Sequence, residues 1–166
     1  SVASLSVARA KPDGYTLVAS SQSSHLANPL TQPKVGYDPV KDFENITILG
    51  RLPNALVVHA SLPIRSVQEF IDYAKKNPGK LNYGSGGTGS MGQLNVEMFK
   101  AVTGVQTTHI PYRGGSPLIT AVLANEVQFI LDNLVIMLPH VQAGKVRALA
   151  VASEQRLPQL PDVPTL

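Results

Sequence analysis

The chain has 166 residues, 43% of them hydrophobic, which is enough for one domain or two small ones with a real core. It contains no cysteine, and this excludes disulfides, thiol catalysis and cysteine-based metal sites. The net charge of +3 comes without any basic run longer than Lys75-Lys76, a pattern that does not indicate nucleic-acid binding.

The first 50 residues predict a helix, a strand and a long irregular stretch. An amphipathic pattern at the start indicates the helix, and a Lys11-Pro12-Asp13-Gly14 turn separates it from a buried strand over residues 15–20. A hydroxyl-rich loop at residues 20–24 comes next. It leads into an irregular stretch punctuated by three prolines (Pro29, Pro33 and Pro39), and apolar runs follow at residues 46–49 and 55–59.

From residue 66 onward, strands and helices alternate. Capping boxes at Ser66 to Glu69 and at Ser90 to Gln93 each open a helix, and Gly104 ends the second one. We expect the second helix to bury five apolar side chains (Met91, Leu94, Met98, Phe99 and Val102). Strands are predicted at residues 81–83, 107–110, 127–131 and 146–152, with helices opened by Ser116-Pro117 and around residues 138–143. This alternation predicts an α/β layer with a mainly parallel sheet, in which the strands at 81–83, 107–110 and 127–131 lie together.

The loop between the strand at residues 81–83 and the next helix, from Gly84 to Ser90, contains four glycines and three hydroxyl residues. Glycines let the backbone turn so that its N–H groups point into one concavity, and the start of the helix adds its positive end. A phosphate, carboxylate or sulfate fits such a site. A tight strand-to-helix turn without any ligand is the alternative explanation.

The same loop matches the dinucleotide-binding pattern G-x-G-x-x-G from Gly84 to Gly89. That motif requires an acid about 20 residues further on to hold the ribose. No Asp or Glu lies between Glu97 and Glu126, but Arg113 could meet a 2′-phosphate. An NADP-dependent oxidoreductase domain is therefore the alternative function.

Three polar loops follow predicted strands: residues 20–24, residues 84–90, and Asp132-Asn133. In an α/β sheet, ligands bind at the carboxyl ends of the strands, so these loops could converge on one site. Asp132 either contacts a ligand or bound water, or caps the following helix together with Asn133. The four histidines lack metal-ligand spacing, and His109 is interpreted as a structural histidine. Because no constellation supplies both an acid and a base, we expect a protein that is not an enzyme and holds no metal or cofactor.

Several short segments carry a family resemblance, and they occur in one order over nearly the whole chain. They are KPDGYTL at 11–17, YDPVKDF at 37–43, GKLNYGS at 79–85, HIPYRG at 109–114, Asp132-Asn133, GKVRALAV at 144–151 and LPDVPT at 160–165. Together they resemble the solute receptors of the tripartite tricarboxylate transporters, the Bug family.

The resemblance implies a periplasmic-binding-protein-like α/β fold of type II, with two α/β lobes of which the first is incomplete. Residues 1–50 and 151–166 would belong to that partial first lobe and residues 51–150 to the second. The runs at 55–59 and 146–152 would be the two crossings between them. The chain would be an internal fragment that lacks the family's N- and C-terminal parts.

The implied function is that of a periplasmic, extracytoplasmic receptor for a small mono-, di- or tricarboxylate, working with the membrane subunits of a tripartite transporter. We also expect a monomer without nucleic-acid partners. We expect the loop N–H groups to face the carboxylate, Ser21 and Ser24 to face that loop across the interlobe cleft, and Asp132 to line the same cleft. The predicted ligand-binding residues are Ser21, Ser24, Ser85, Gly86, Thr88, Gly89, Ser90 and Asp132.

The four residues after Asn133 (Leu134, Val135, Ile136 and Met137) are apolar, where many relatives carry small polar residues. This composition suggests a solute with an apolar body. An apolar helix start packed in the core explains it equally well.

Overall fold

The computed structural model describes residues 2–32 and 34–166, which form two compact units. The first unit comprises Ser1–Gly50 and Gly89–Met91, and the second comprises Arg51–Thr88 and Gly92–Leu166. No helix among the described residues is long and apolar enough to cross a membrane.

The second unit is built on a five-stranded sheet. Its strands are β1 (Asn54–His59), β2 (Asn82–Ser85), β3 (Thr108–Pro111), β4 (Phe129–Asn133) and β5 (Val146–Ala152), in the spatial order β3-β2-β4-β1-β5. β2 pairs in parallel with β3 and β4, whereas β1 runs antiparallel between β4 and β5. The prediction that the strands at 81–83, 107–110 and 127–131 share one sheet is confirmed, with bounds shifted by one or two residues.

Four helices accompany this sheet: α3 (Val67–Lys76), α4 (Met91–Thr103), α5 (Gly115–Leu123) and α6 (Leu134–Gln142). The predicted capping box opens α3, because the Ser66 hydroxyl accepts a hydrogen bond from the Glu69 N–H at 3.1 Å. Gly104 ends α4 as predicted, with a left-handed φ of +74° that glycine adopts without strain.

The core lies on both faces of the sheet, since alternate residues along each central strand point to opposite sides. Along β4, Phe129 and Leu131 join one cluster with Phe70 of α3, whereas Ile130 joins the other with Leu118 of α5. A sheet buried on both faces needs continuous apolar runs, and β1, β4 and residues 148–152 of β5 have them.

The predicted inner face of α4 is partly wrong. Phe99 is buried as expected, but Met98 and Val102 are 70% and 85% exposed. The buried face is instead Gly92, Val96 and Phe99, which have the four- and three-residue spacing of one helical side. Apolar side chains occur on two sides of this helix, and its glycine marks the side that approaches the sheet closely.

The first unit differs from the prediction in two places. Residues 15–20 do not form a strand, and Tyr15 is 93% exposed, because none of the described residues before 51 forms a strand that could pair with this run. Residues 22–31 are helical where an irregular stretch is predicted, as a π-helical turn (Ser23–Ala27) followed by α2 (Asn28–Thr31). Pro29 lies in the first turn of α2, where proline is tolerated. Pro33 lies outside the described residues.

The start of the first unit fits the prediction, since the opening helix is α1 (Val2–Ala8). The chain after β5 lies in the second unit. The Val151 N–H donates to the carbonyl of Pro164, and the side chains of Leu157, Leu160 and Val163 pack on the cluster around α5. The division of a complete two-lobed protein into lobes, with residues 151–166 in the first, stays a prediction.

Candidate functional site

The glycine loop begins at the carboxyl end of β2, with a serine that is fully buried. The Ser85 hydroxyl oxygen lies 3.0 Å from the carbonyl oxygen of Gly87 and accepts a hydrogen bond from the Gly87 N–H at 3.2 Å. Gly87 has a φ of +138°, which disfavours any side chain at this position. Ser85 therefore fixes the shape of the loop from inside, and direct contact between its hydroxyl and a ligand stays a prediction.

The loop is also attached to the neighbouring connection between β3 and α5. The Tyr112 N–H donates to the Ser85 carbonyl at 2.9 Å, and the Gly114 N–H donates to the Gly86 carbonyl at 3.2 Å. Thr88 at the tip is exposed, whereas Gly86 is half-buried. Two strand ends of the second unit are thus joined by backbone hydrogen bonds.

The remaining loop residues belong to the first unit. Gly89 is buried with a φ of +78°, and a Cβ there would come within 2.8 Å of the Thr31 hydroxyl. Ser90 is half-buried. The N–H of Met91, the first residue of α4, donates to the Ser23 hydroxyl at 3.3 Å. The sequence interpretation singles out Ser21 and Ser24 and misses Ser23.

Ser21 and Ser24, the two predicted residues of this unit, contact each other. The Ser24 hydroxyl accepts a hydrogen bond from the Ser21 N–H at 3.0 Å and lies 3.1 Å from the Ser21 carbonyl oxygen. The Tyr37 hydroxyl donates to the Ser24 carbonyl. Ser24 thereby pairs with the backbone N–H just before the helical segment that starts at Gln22, and a ligand role for either serine stays a prediction.

Asp132 lies at the carboxyl end of β4, against the first turn of α4. A Cβ on Gly92 would collide with its carboxylate, so the glycine is what allows this approach. Burial raises the pKa of Asp132, and the hydrogen bond from the Asn133 N–H at 2.8 Å opposes that shift. Asn133 is the cap of α6, because its side-chain oxygen accepts from the Val135 N–H. The carboxylate of Asp132 is therefore not needed to cap α6.

A network of polar side chains reaches the loop from the β3 side. The His109 Nε2 lies 2.7 Å from the Ser85 hydroxyl oxygen, and the His109 ring stacks on Tyr83 with 4.8 Å between ring centroids. The Tyr83 hydroxyl donates to Glu97 at 2.6 Å, and Lys100 forms an ion pair with the same carboxylate. His109, interpreted from the sequence as structural, is thus the side chain that contacts the loop serine.

Burial and charge act on this network in different directions. Burial lowers the pKa of His109, and the negative charge of Glu97 opposes that shift. Burial also raises the pKa of Glu97, but hydrogen bonds from Lys100 and Tyr83 outweigh it and lower that pKa overall. Burial and then the bond to Glu97 raise the pKa of Tyr83, so this phenol stays protonated at neutral pH.

The apolar residues after Asn133 mostly pack inside the second unit. Leu134 and Met137 are buried in the cluster around α5, and Ile136 packs against it. Val135 is 53% exposed. Core packing therefore accounts for most of this apolar run. Among the described residues, no group of three or more potential ligands is placed to hold a metal ion.

Comparisons with known proteins agree with this architecture. Rpa4515 of R. palustris, solved with adipate, superposes with a TM-score of 0.94 at 39% identity, over 99% of this chain and 55% of that one. MatC from Rhodopseudomonas palustris, solved with bound malate, gives a TM-score of 0.88 at 32% identity, over 99% and 56%. The periplasmic binding protein BugD gives a TM-score of 0.86 at 30% identity, over 98% of this chain and 54% of that one. The predicted α/β fold of the periplasmic-binding-protein type is therefore confirmed.

A curated relative, the UPF0065 protein in the gbd 5′ region of Cupriavidus necator, is 42% identical over 155 residues, or 93% of this chain and 46% of the relative. The chain spans about half the length of the curated relatives it matches. The family described as the tripartite tricarboxylate transporter family receptor matches residues 1–166. The chain belongs to this family of solute-binding receptors.

Proposed function

We propose that this chain is part of a periplasmic receptor that binds a small mono-, di- or tricarboxylate for uptake by a tripartite transporter, without catalysing a reaction. The observation that carries the proposal is the glycine loop between β2 and α4, in a family whose solved members include proteins with adipate and with malate. The membrane subunits of the transporter are the proposed partners, and the receptor itself is proposed to be a monomer.

The loop has the chemistry that a carboxylate requires. It leads directly into α4, a helix of 13 residues whose positive end favours an anion. The Ser85 hydroxyl and the backbone bond from Gly114 hold the loop in place, so little ordering remains to be done when a ligand binds. The proposed ligand groups are the backbone N–H groups of Gly86, Thr88, Gly89 and Ser90 and the hydroxyls of Thr88 and Ser90. Ser85 belongs to the proposed site through its bonds inside the loop.

Asp132 has a different proposed role. Two carboxylates in contact repel each other, so Asp132 would orient water or a donor group of the solute instead of meeting its carboxylate. Its burial in spite of its charge supports a functional reason for keeping an acid at this strand end. Ser21 and Ser24 complete the proposed site, on the first lobe.

The test is a calorimetric titration of the full-length protein with adipate, malate and citrate, beside NADP. Binding of one of the three carboxylates is expected. A hundredfold excess over the dissociation constant should then add about 2.7 kcal/mol of stability in a thermal-shift assay. Saturable NADP binding with no carboxylate binding would support the oxidoreductase alternative.

A loop variant locates the site. Gly86→Val should abolish carboxylate binding, because a branched side chain would cover the loop backbone, while a Cβ there meets no atom closer than 3.9 Å. Gly50→Val is the matched control, since its Cβ would meet no atom within 4 Å and Gly50 is not one of the proposed ligand-binding residues. Unchanged affinity in Gly86→Val would mean that the loop is only a turn.

A further inference from the structure

We propose that His109 is a positioning residue, whose Nε2–H donates a hydrogen bond to Ser85 and so holds the glycine loop in its carboxylate-binding conformation. The inference rests on the proposed function and adds a residue outside the predicted site. It also gives Ser85 a role within the loop instead of in direct contact with the solute.

The hydroxyl of Ser85 has a fixed capacity for hydrogen bonds: it donates one and accepts two. The Gly87 N–H donates to its oxygen, which uses one acceptor position. The Gly87 carbonyl oxygen, at 3.0 Å, is an acceptor and needs the hydroxyl hydrogen. The contact to His109 at 2.7 Å is then satisfied only if the ring nitrogen donates.

The tautomer of His109 therefore decides whether Gly87 is held at both its N–H and its carbonyl. With the hydrogen on Nε2, all three contacts of Ser85 are hydrogen bonds. With the hydrogen on Nδ1, the ring takes the hydroxyl hydrogen and the Gly87 carbonyl loses its donor. Gly87 is half-buried, so its carbonyl then loses the donor that holds it to the buried Ser85, and the loop is held by fewer bonds.

The sheet register places the ring for this contact. Tyr83 and His109 are direct neighbours on the parallel strands β2 and β3, and Ser85 lies two residues beyond Tyr83 on the same face. The Tyr83 ring stacks on the imidazole at an interplanar angle of 21° and is itself held by the bond to Glu97. The imidazole is thus packed flat beside the loop serine.

The charged and titratable groups that face His109 are Glu97 and Lys100 of α4 and Tyr83 of β2. Burial lowers the pKa of His109 more than Glu97 raises it, so the ring is neutral at neutral pH. Its hydrogen position is then set by its neighbours, and Ser85 favours Nε2. Protonation at lower pH keeps the Nε2 hydrogen, so the bond to Ser85 survives acidification.

The tests use carboxylate affinity of the full-length protein, measured by calorimetry at pH 7.5 with whichever of adipate, malate or citrate binds the parent. His109→Ala should weaken binding about tenfold, the loss of one hydrogen bond that keeps the loop ordered. His109→Gln should restore affinity to within about threefold, because the side-chain amide of Gln donates from a similar position.

Ser85→Ala should weaken binding at least as much as His109→Ala, because it also removes both contacts to Gly87. The double variant should be no weaker than Ser85→Ala alone, since the bond to His109 is already absent there. The matched control is His59→Ala. His59 also pairs with a serine, Ser61, at 2.7 Å. Because β1 runs antiparallel to β4, its last residue, His59, lies near the start of β4, at the end of the sheet opposite to the glycine loop. The carboxylate affinity of His59→Ala should equal that of the parent.

A measurement on the unmodified protein covers the case in which a variant does not fold. Nitrogen chemical shifts of the His109 ring at pH 7.5 should show the neutral Nε2–H tautomer. The Nδ1–H tautomer, unchanged affinity in a folded His109→Ala, or additive losses in the double variant would each overturn the proposal. Absence of any carboxylate binding by the parent would instead overturn the proposed function.

Discussion

The two units of this chain differ in how they use apolar residues. In the second unit, side chains such as Leu56, Phe129 and Ile130 are completely buried on the two faces of the sheet. In the first unit, Tyr15 and Ile46 lie in similar apolar runs but are largely exposed. The comparison teaches that an apolar run becomes a strand only where neighbouring strands hydrogen-bond to it and helices cover it.

The largest expected difference between the units comes from truncating one large apolar side chain in each. Phe129→Ala should lower the free energy of unfolding by about 3–5 kcal/mol, because the ring packs against Phe70 and Tyr83 with no solvent exposure. Ile46→Ala should change it by less than about 0.5 kcal/mol, since that side chain is 76% exposed. Urea denaturation of the 166-residue chain measures both. Equal losses would remove the distinction between the units.

A smaller effect is expected from adding one methyl group to each unit. Gly84 lies in β2, and a Cβ there would collide with Leu118 and come within 3.1 Å of the branched side chain of Val127. Gly84→Ala should therefore cost about 1–3 kcal/mol of stability. Gly50→Ala meets no atom within 4 Å, so it should be neutral or stabilise by up to about 1 kcal/mol through the unfolded chain. A stabilising Gly84→Ala would show that β2 and α5 pack loosely.

The same contrast explains how much of the fold the sequence could predict. From residue 66 onward, capping residues, glycine stops and apolar runs agree, and the strands and helices lie within a few residues of their predicted positions. The inner face of α4 could not be predicted, because Met98 and Val102 compete with Val96 for the buried side. Burial there depends on Gly92 approaching Asp132, which is a contact between distant parts of the chain.

The site was predictable only in part, for a similar reason. The position of the loop follows from its glycines, but the partner of Ser85 does not, since His109 is 24 residues away and reaches it through the register of β2 and β3. The choice among Ser21, Ser23 and Ser24 depends on the rotation of a helical segment. That segment includes a π-helical turn, and composition alone reveals neither this turn nor which serine bonds to Met91.

The smallest expected effects concern two acids, one in each unit, whose pKa values move in opposite directions. Burial raises the pKa of Asp132 in the second unit, whereas backbone hydrogen bonds from Val40 and Lys41 lower that of Asp38 in the first. The folded state thus binds a proton at Asp132 more tightly than the unfolded state does, and at Asp38 less tightly. The stability contributed at Asp132 falls as pH rises above 3.8, the ordinary pKa of an aspartate. The stability contributed at Asp38 is lost as pH falls through its lowered pKa.

Asn substitutions at the two positions should therefore show opposite signs. Asp132→Asn should raise stability at pH 7.5, with the gain vanishing as pH falls below 3.8, because the buried charge is then absent from the parent as well. Asp38→Asn should lower stability at pH 7.5, with the loss also vanishing in acid. Hydrogen exchange, followed separately for the amides of each unit between pH 3.5 and 7.5, measures both. A stabilised Asp132→Asn that binds carboxylate more weakly would show that this acid is kept for binding at the expense of stability. A destabilised one would mean that the carboxylate supports the first turn of α4, against which it lies.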